Sequence, residues 1–136
     1  MAEKVLKTFS VKYLQVLDEN GRPDAKLVPK LSPKRLVGLY STMVLCRRFD
    51  EKALILQRQG RLGTYASFLG QEAAQVGAAY AMGKEDWIFP TYRDSALLIA
   101  RKQPMVALLQ YFGGDERGSG EDGRRHGEGG LHRNRA

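Results

Sequence analysis

Tyr92 and Arg93 stand side by side in the turn Phe89-Pro90-Thr91-Tyr92-Arg93-Asp94, and their types suit them to holding an anion. A guanidinium binds phosphate oxygens through a planar fork of N–H groups, and a phenol adds a hydrogen bond without adding charge. The competing assignment pairs Arg93 with Asp94 or with a helix end. Upstream, Gly60, Gly63 and Gly70 occupy loop positions, and an Ala-rich stretch follows them. Together these read as a scaffold that presents backbone and two side chains, a site or half of one. Tyr65, in the loop before Gly70, either lines the same pocket or packs as a loop aromatic.

The elements that must position these residues are helical. Ser32-Pro33 is a helix start, with Ser able to cap free amides and Pro suited to the first turn. From there Leu36, Leu39, Tyr40, Met43, Cys46, Phe49, Ala53 and Leu56 recur at three- and four-residue steps, predicting one apolar stripe on a helix that runs to about residue 59, where Gly60 ends it. Lys34, Arg47, Asp50, Lys52 and Gln57 fall mainly outside that stripe. A second helix is expected over 71–82, where Ala73, Ala74, Gly77, Ala78, Ala79 and Ala81 make it thin enough for close packing. Trp87-Ile88-Phe89, stopped by Pro90, predicts a brief extended segment. Helices follow over 96–102 and 105–112, with Gly113-Gly114 closing the last.

Residues 1–31 read as a strand or an extended arm, with Asn20-Gly21 supplying a positive-φ turn. Residues 32–114 carry the helical part. Residues 115–136 are dominated by Gly, Arg, Glu and Asp, which predicts disorder, because such a segment buries too little apolar surface to offset its ordering entropy. His126 and His132 lie there without ligand spacing, and Gly127-Glu128-Gly129-Gly130 lacks the strand and helix that frame a phosphate loop. Cys46 sits in the apolar pattern and has no partner for an intrachain disulfide, so it reads as a core residue rather than a nucleophile.

The 136 residues fit one domain or less, and the hydrophobic share of 43% is ordinary for a soluble protein. No apolar run reaches the roughly 20 residues of a membrane span, and no signal core follows Met1, so the expectation is a cytoplasmic protein with no membrane role. The formal charge of +7 raises nucleic acid as a partner, but Lys4, Lys7, Lys12, Lys26, Lys30, Lys34 and Arg35 are scattered without interleaved aromatics, which argues against it. An acidic partner subunit explains the charge equally well.

Four motifs in series carry a resemblance: Arg48-Phe49-Asp50-Glu51-Lys52, Gln57-Arg58-Gln59-Gly60-Arg61-Leu62-Gly63, Gly70-Gln71-Glu72-Ala73-Ala74-Gln75 and the turn of Tyr92 and Arg93. In order and spacing they resemble the alpha subunit of thiamine-diphosphate-dependent 2-oxo acid dehydrogenases, the E1 component of pyruvate and branched-chain complexes, over residues 9–119. The resemblance implies an α/β thiamine-diphosphate-binding fold, of which this chain holds the N-terminal, mostly helical part without most of the central parallel sheet. It implies oxidative decarboxylation of a 2-oxo acid and acyl transfer to lipoyl groups, with an E1 beta subunit, a second alpha subunit and a lipoyl-bearing E2 component as partners. The alternative is a non-catalytic fragment that only binds a beta or an intact alpha subunit.

The same resemblance assigns Tyr92 and Arg93 to the diphosphate of thiamine diphosphate, with Tyr65 as a further cofactor-side residue. Many pyruvate-type relatives carry a histidine where this chain has Ala66, which can contribute only shape. Gln71 and Glu72 read as helix-start and interface residues, since the cofactor-activating glutamate and a catalytic histidine belong to the beta subunit. No catalytic residue is therefore assigned here. The Gly-Asp-Gly motif and later Asn that hold Mg²⁺ in the family are absent, which predicts that the chain alone is inactive. A shift of reading frame near Ser119 is the expected cause, testable by translating the downstream DNA in all frames.

Overall fold

The computed structural model describes residues 3–119, and it separates into two compact units, Met1–Ser32 and Pro33–Ala136. In the first, a turn replaces any strand. The Asp18 carboxylate accepts the amides of Asn20 (3.0 Å) and Arg22 (2.7 Å), and Gly21 takes φ +75°, a conformation that costs glycine little. Leu17 and Pro23 form a single antiparallel bridge across it. The alternating residues before the turn make no ladder, and Phe9, Val11, Tyr13 and Leu14 stand exposed. The expected strand does not form among the described residues of this unit.

The second unit is helical: α1 Pro33–Arg58, α2 Glu72–Ala81, α3 Ser95–Ala100 and α4 Met105–Phe112, followed by a 3₁₀ turn over Glu116–Ser119. Among the described residues there is no strand, and within Trp87-Ile88-Phe89 Ile88 forms an isolated β-bridge. Gly60 at φ +71° ends α1, as its sequence position predicts. The 3₁₀ turn packs on α4 so closely that a Cβ on Gly118 would lie 2.2 Å from the Tyr111 amide nitrogen. Residues 116–119 form this turn within the segment whose composition predicts disorder. The rest of that segment, with His126 and His132, lies outside the described residues.

Cys46, Phe49, Ala53, Tyr65, Phe68, Val76, Ala96, Ile99 and Leu108 form the core. Tyr65 is its hinge, meeting Phe112 edge to face at 5.0 Å and Phe49 at 6.4 Å. Two sequence expectations fail on α1. Leu36 and Tyr40 belong to the predicted stripe yet are 53% and 66% exposed, because the core begins only at Cys46. Asp50, expected outside the stripe, is completely buried. On α2 the small residues Ala73, Ala74, Gly77, Ala78 and Ala81 face outward, and the buried side is Glu72, Gln75, Val76 and Ala79.

Cys46 is fully buried and donates its thiol toward the Ala96 carbonyl (3.7 Å). Burial first, and then the Glu72 carboxylate, push its pKa up to about 11. The native chain is expected to resist iodoacetamide at mildly alkaline pH and to label only in denaturant, because the thiolate is the nucleophile. The sign for stability follows: unfolded Cys46 ionises before the folded thiol does, so stability falls as pH rises from the ordinary thiol range toward 11. A native chain that labels as fast as free cysteine would contradict the burial.

Candidate functional site

The site is assembled from α1 outward. Asp50 accepts the Tyr65 hydroxyl at 2.8 Å, the Ser67 hydroxyl at 2.6 Å and the Phe68 amide at 3.0 Å, so one carboxylate collects three donors of the loop before α2. Burial, and then the bond to Asp50, raise the Tyr65 phenol well above its usual range, keeping it a protonated donor. The start of α2 is fixed separately. Glu72 accepts the Gly70 amide at 3.0 Å and forms an ion pair with Arg47 of α1. That pairing lowers the Glu72 pKa and raises that of Arg47. Glu72 thus holds a helix start, as the sequence suggested.

Gln75 then ties α2 to the turn that carries Tyr92 and Arg93. Its amide nitrogen donates to the Arg93 carbonyl at 3.0 Å, and its oxygen accepts the Ala96 and Leu97 amides at 3.0 and 3.3 Å. Those amides open α3 and have no partner within the helix, so a side chain from α2 acts as their cap. Within the turn, Asp94 accepts the Thr91 amide (2.7 Å) and hydroxyl (2.8 Å). Asp94 is therefore engaged with Thr91, and Arg93 instead donates to the Ser67 carbonyl while its guanidinium lies 5.5 Å from the Tyr92 ring centre. No carboxylate among the described residues pairs with Arg93.

Beside this turn lies a cavity of about 570 Å³. Leu98, Leu108 and Phe112 give it apolar walls, while Thr64, Tyr92 and Ser95 bring hydroxyls. Tyr92 is 72% exposed, so its phenol is open to a ligand. Arg93 is anchored by a neutral oxygen, and no carboxylate among the described residues compensates its positive charge. Apolar walls with hydroxyls among them, next to a turn that carries Arg93, suit an organic anion.

The predicted residues are distributed unevenly over this arrangement. Tyr92 lines the cavity, and Arg93 stands outside the lining with its guanidinium over the Tyr92 ring. Tyr65 is 5% exposed, stands outside the lining and spends its hydroxyl on Asp50. Ala66 does line the cavity, as a surface without a donor. Asp50 and Gln75 escaped the sequence reading as site residues. Asp50 lies four residues after Cys46 and three before Ala53, a helical spacing that puts it on the buried seam.

A family model described as the dehydrogenase E1 component matches residues 40–135, reaching past Ser119, where the resemblance was expected to end. The chain is 47% identical over 103 residues to the pyruvate dehydrogenase E1 component subunit alpha of Acholeplasma laidlawii, covering 75% of this chain and 30% of that one. It is 41% identical over 121 residues to the subunit of the same name from Staphylococcus aureus strain Mu50, covering 87% and 33%. The Staphylococcus epidermidis subunit is 40% identical over the same length of 121 residues. The chain spans about a third of the length of these curated relatives. With its motifs, helices and matched span in agreement, this chain belongs to the dehydrogenase E1 component family.

Proposed function

We propose that this chain serves as the alpha-subunit side of a pyruvate-type E1 component, with Tyr92 and Arg93 holding the diphosphate of thiamine diphosphate. The names of the relatives favour pyruvate over a branched-chain 2-oxo acid. The observation that carries the reading is the tie of Arg93 to the Ser67 carbonyl, which orients the guanidinium without neutralising it. The residues present fit the diphosphate end of the cofactor: an exposed phenol in the lining of a cavity and, next to it in the chain, a cation that lies over that phenol's ring. Among the described residues no group of three or more His, Cys, Asp or Glu side chains converges.

When bound, thiamine diphosphate supplies the nucleophilic carbon that attacks a 2-oxo acid. The part of this chain is to bind and orient. Arg93 grips phosphate oxygens, the Tyr92 hydroxyl adds a neutral hydrogen bond, and Leu98, Leu108 and Phe112 keep the cavity beside them apolar. A beta subunit completes the site, a second alpha subunit completes the assembly, and lipoyl groups of an E2 component receive the acyl group.

The reading is tested by coexpressing the chain with a pyruvate dehydrogenase beta subunit, then measuring association, thiamine diphosphate affinity and pyruvate-dependent dye reduction. Arg93→Ala is expected to weaken thiamine diphosphate by about tenfold or more, the worth of a charge-assisted contact. Equal affinity in the variant would refute the assignment. A second reading, docking without catalysis, is favoured by Leu36, Val37 and Tyr40, which stand more than half exposed at the start of α1. Association without turnover is its expected outcome.

A further inference from the structure

We infer that Asp50 is a positioning residue for the anion site, acting on Arg93 through the Ser67 carbonyl; the inference rests on the diphosphate role proposed for Arg93. Three observations join to carry it. Asp50 is completely buried and gathers the hydroxyls of Tyr65 and Ser67 and the amide of Phe68. Two of these three donors belong to Ser67 and to the residue that follows it, so both sides of the Ser67 carbonyl are fixed. That carbonyl is the acceptor for Arg93.

The arrangement solves a problem of charge. A long arginine side chain loses rotamer freedom when it is held in one pose, so an anchor fixed in advance lowers the cost of ligand binding. A carboxylate touching Arg93 directly would anchor it but would also cancel the charge a phosphate needs. Here the carboxylate sits one step back and spends its oxygens on uncharged donors. Among the described residues the hydrogen-bond acceptor of the guanidinium is a neutral carbonyl. Asp50 supplies rigidity, and Arg93 keeps its charge for the ligand.

The test is a calorimetric titration of the full chain with inorganic pyrophosphate, run on wild type, Asp50→Asn, Ser67→Ala, Arg93→Ala and the double variant Asp50→Asn/Arg93→Ala. Circular dichroism follows folding in each. Arg93→Ala is expected to lose about tenfold or more in affinity, and Asp50→Asn several-fold. The double variant is expected to bind no more weakly than Arg93→Ala, because an effect relayed through Arg93 vanishes with it. A residue that merely supports the fold would instead lower affinity by the same factor in both backgrounds, and that result overturns the inference. Should Asp50→Asn unfold, Ser67→Ala, which removes one of the three donors, takes its place in the same cycle. Pyrophosphate binding that needs Arg93 but is indifferent to Asp50 and Ser67 overturns the inference alone. Binding that is indifferent to Arg93, or no binding by wild type, overturns the diphosphate reading and the inference with it.

Discussion

Asp50→Ala is expected to destabilise the helical unit by roughly 3–6 kcal/mol, from two buried donors and the half-buried Ser67 hydroxyl losing their acceptor at about 1–3 kcal/mol each with partial rescue by entering water. Small domains are held by about 5–15 kcal/mol in total, so this one change approaches the whole of the stability. Tyr65, Ser67 and Phe68 all depend on the same two oxygens, and Tyr65 is in turn the aromatic that joins α1 to α4. Loss of the carboxylate therefore releases the loop and loosens the core contact between Tyr65 and Phe112 together. Urea unfolding followed by circular dichroism measures the cost. Asp50→Asn, which keeps an acceptor oxygen of the same shape, is expected to cost far less. A loss below about 1 kcal/mol for the alanine variant would show that the loop is held by other contacts.

The second large effect is expected at Gln75. Gln75→Leu keeps the volume but removes the cap on α3 and the bond to the Arg93 carbonyl. Loss of a cap costs about 0.5–2 kcal/mol, and each buried backbone group left unpaired adds about 1–3 kcal/mol, so a total of roughly 2–4 kcal/mol is expected. Gln75→Glu separates the two halves of the interaction. A glutamate still accepts the Ala96 and Leu97 amides, but when ionised it cannot donate to the Arg93 carbonyl and repels it. Protonation restores a donor. Burial of the introduced carboxyl and repulsion from the Arg93 carbonyl raise its folded-state pKa above the unfolded value of about 4.3, and the two accepted amides offset part of that rise. A raised folded pKa contributes stability that is present below the unfolded value and is lost as pH rises through the folded one. Gln75→Glu should accordingly approach wild-type stability in acid and fall away toward neutral pH. A pH-independent deficit relative to wild type would mean that the donor half of Gln75 contributes nothing.

The helices were legible in the sequence because their ends are punctuated. Pro33, Gly60, Gly70, Pro104 and Gly113-Gly114 each interrupt the chain for a backbone reason, and α4 forms over the residues expected. Burial was harder to read. Periodicity groups Leu36 and Tyr40 with Cys46 and Phe49, but it does not say where along a helix packing begins. Leu36, Val37 and Tyr40 stay more than half exposed there, while Leu39 of the same stretch packs against the core. Asp50 was misread for the opposite reason: a carboxylate on a helix reads as a solvent group until three donors from a distant loop are known to converge on it. Gln75 likewise passes for an ordinary polar residue of an Ala-rich helix, since its partners lie about twenty positions away. Tyr92 and Arg93 could be singled out because their chemistry is local to the side chain. Their support could not, because it is spread over α1, the Ser67 loop and α2.

The most direct test of the account compares thiamine diphosphate with thiamine, which lacks the diphosphate, as ligands of the chain assembled with a beta subunit. If Tyr92 and Arg93 hold the diphosphate, wild type prefers thiamine diphosphate by about tenfold or more, and Arg93→Ala removes most of that preference while binding thiamine unchanged. A preference that survives intact in Arg93→Ala would contradict the assignment and place the diphosphate contacts elsewhere in the assembly.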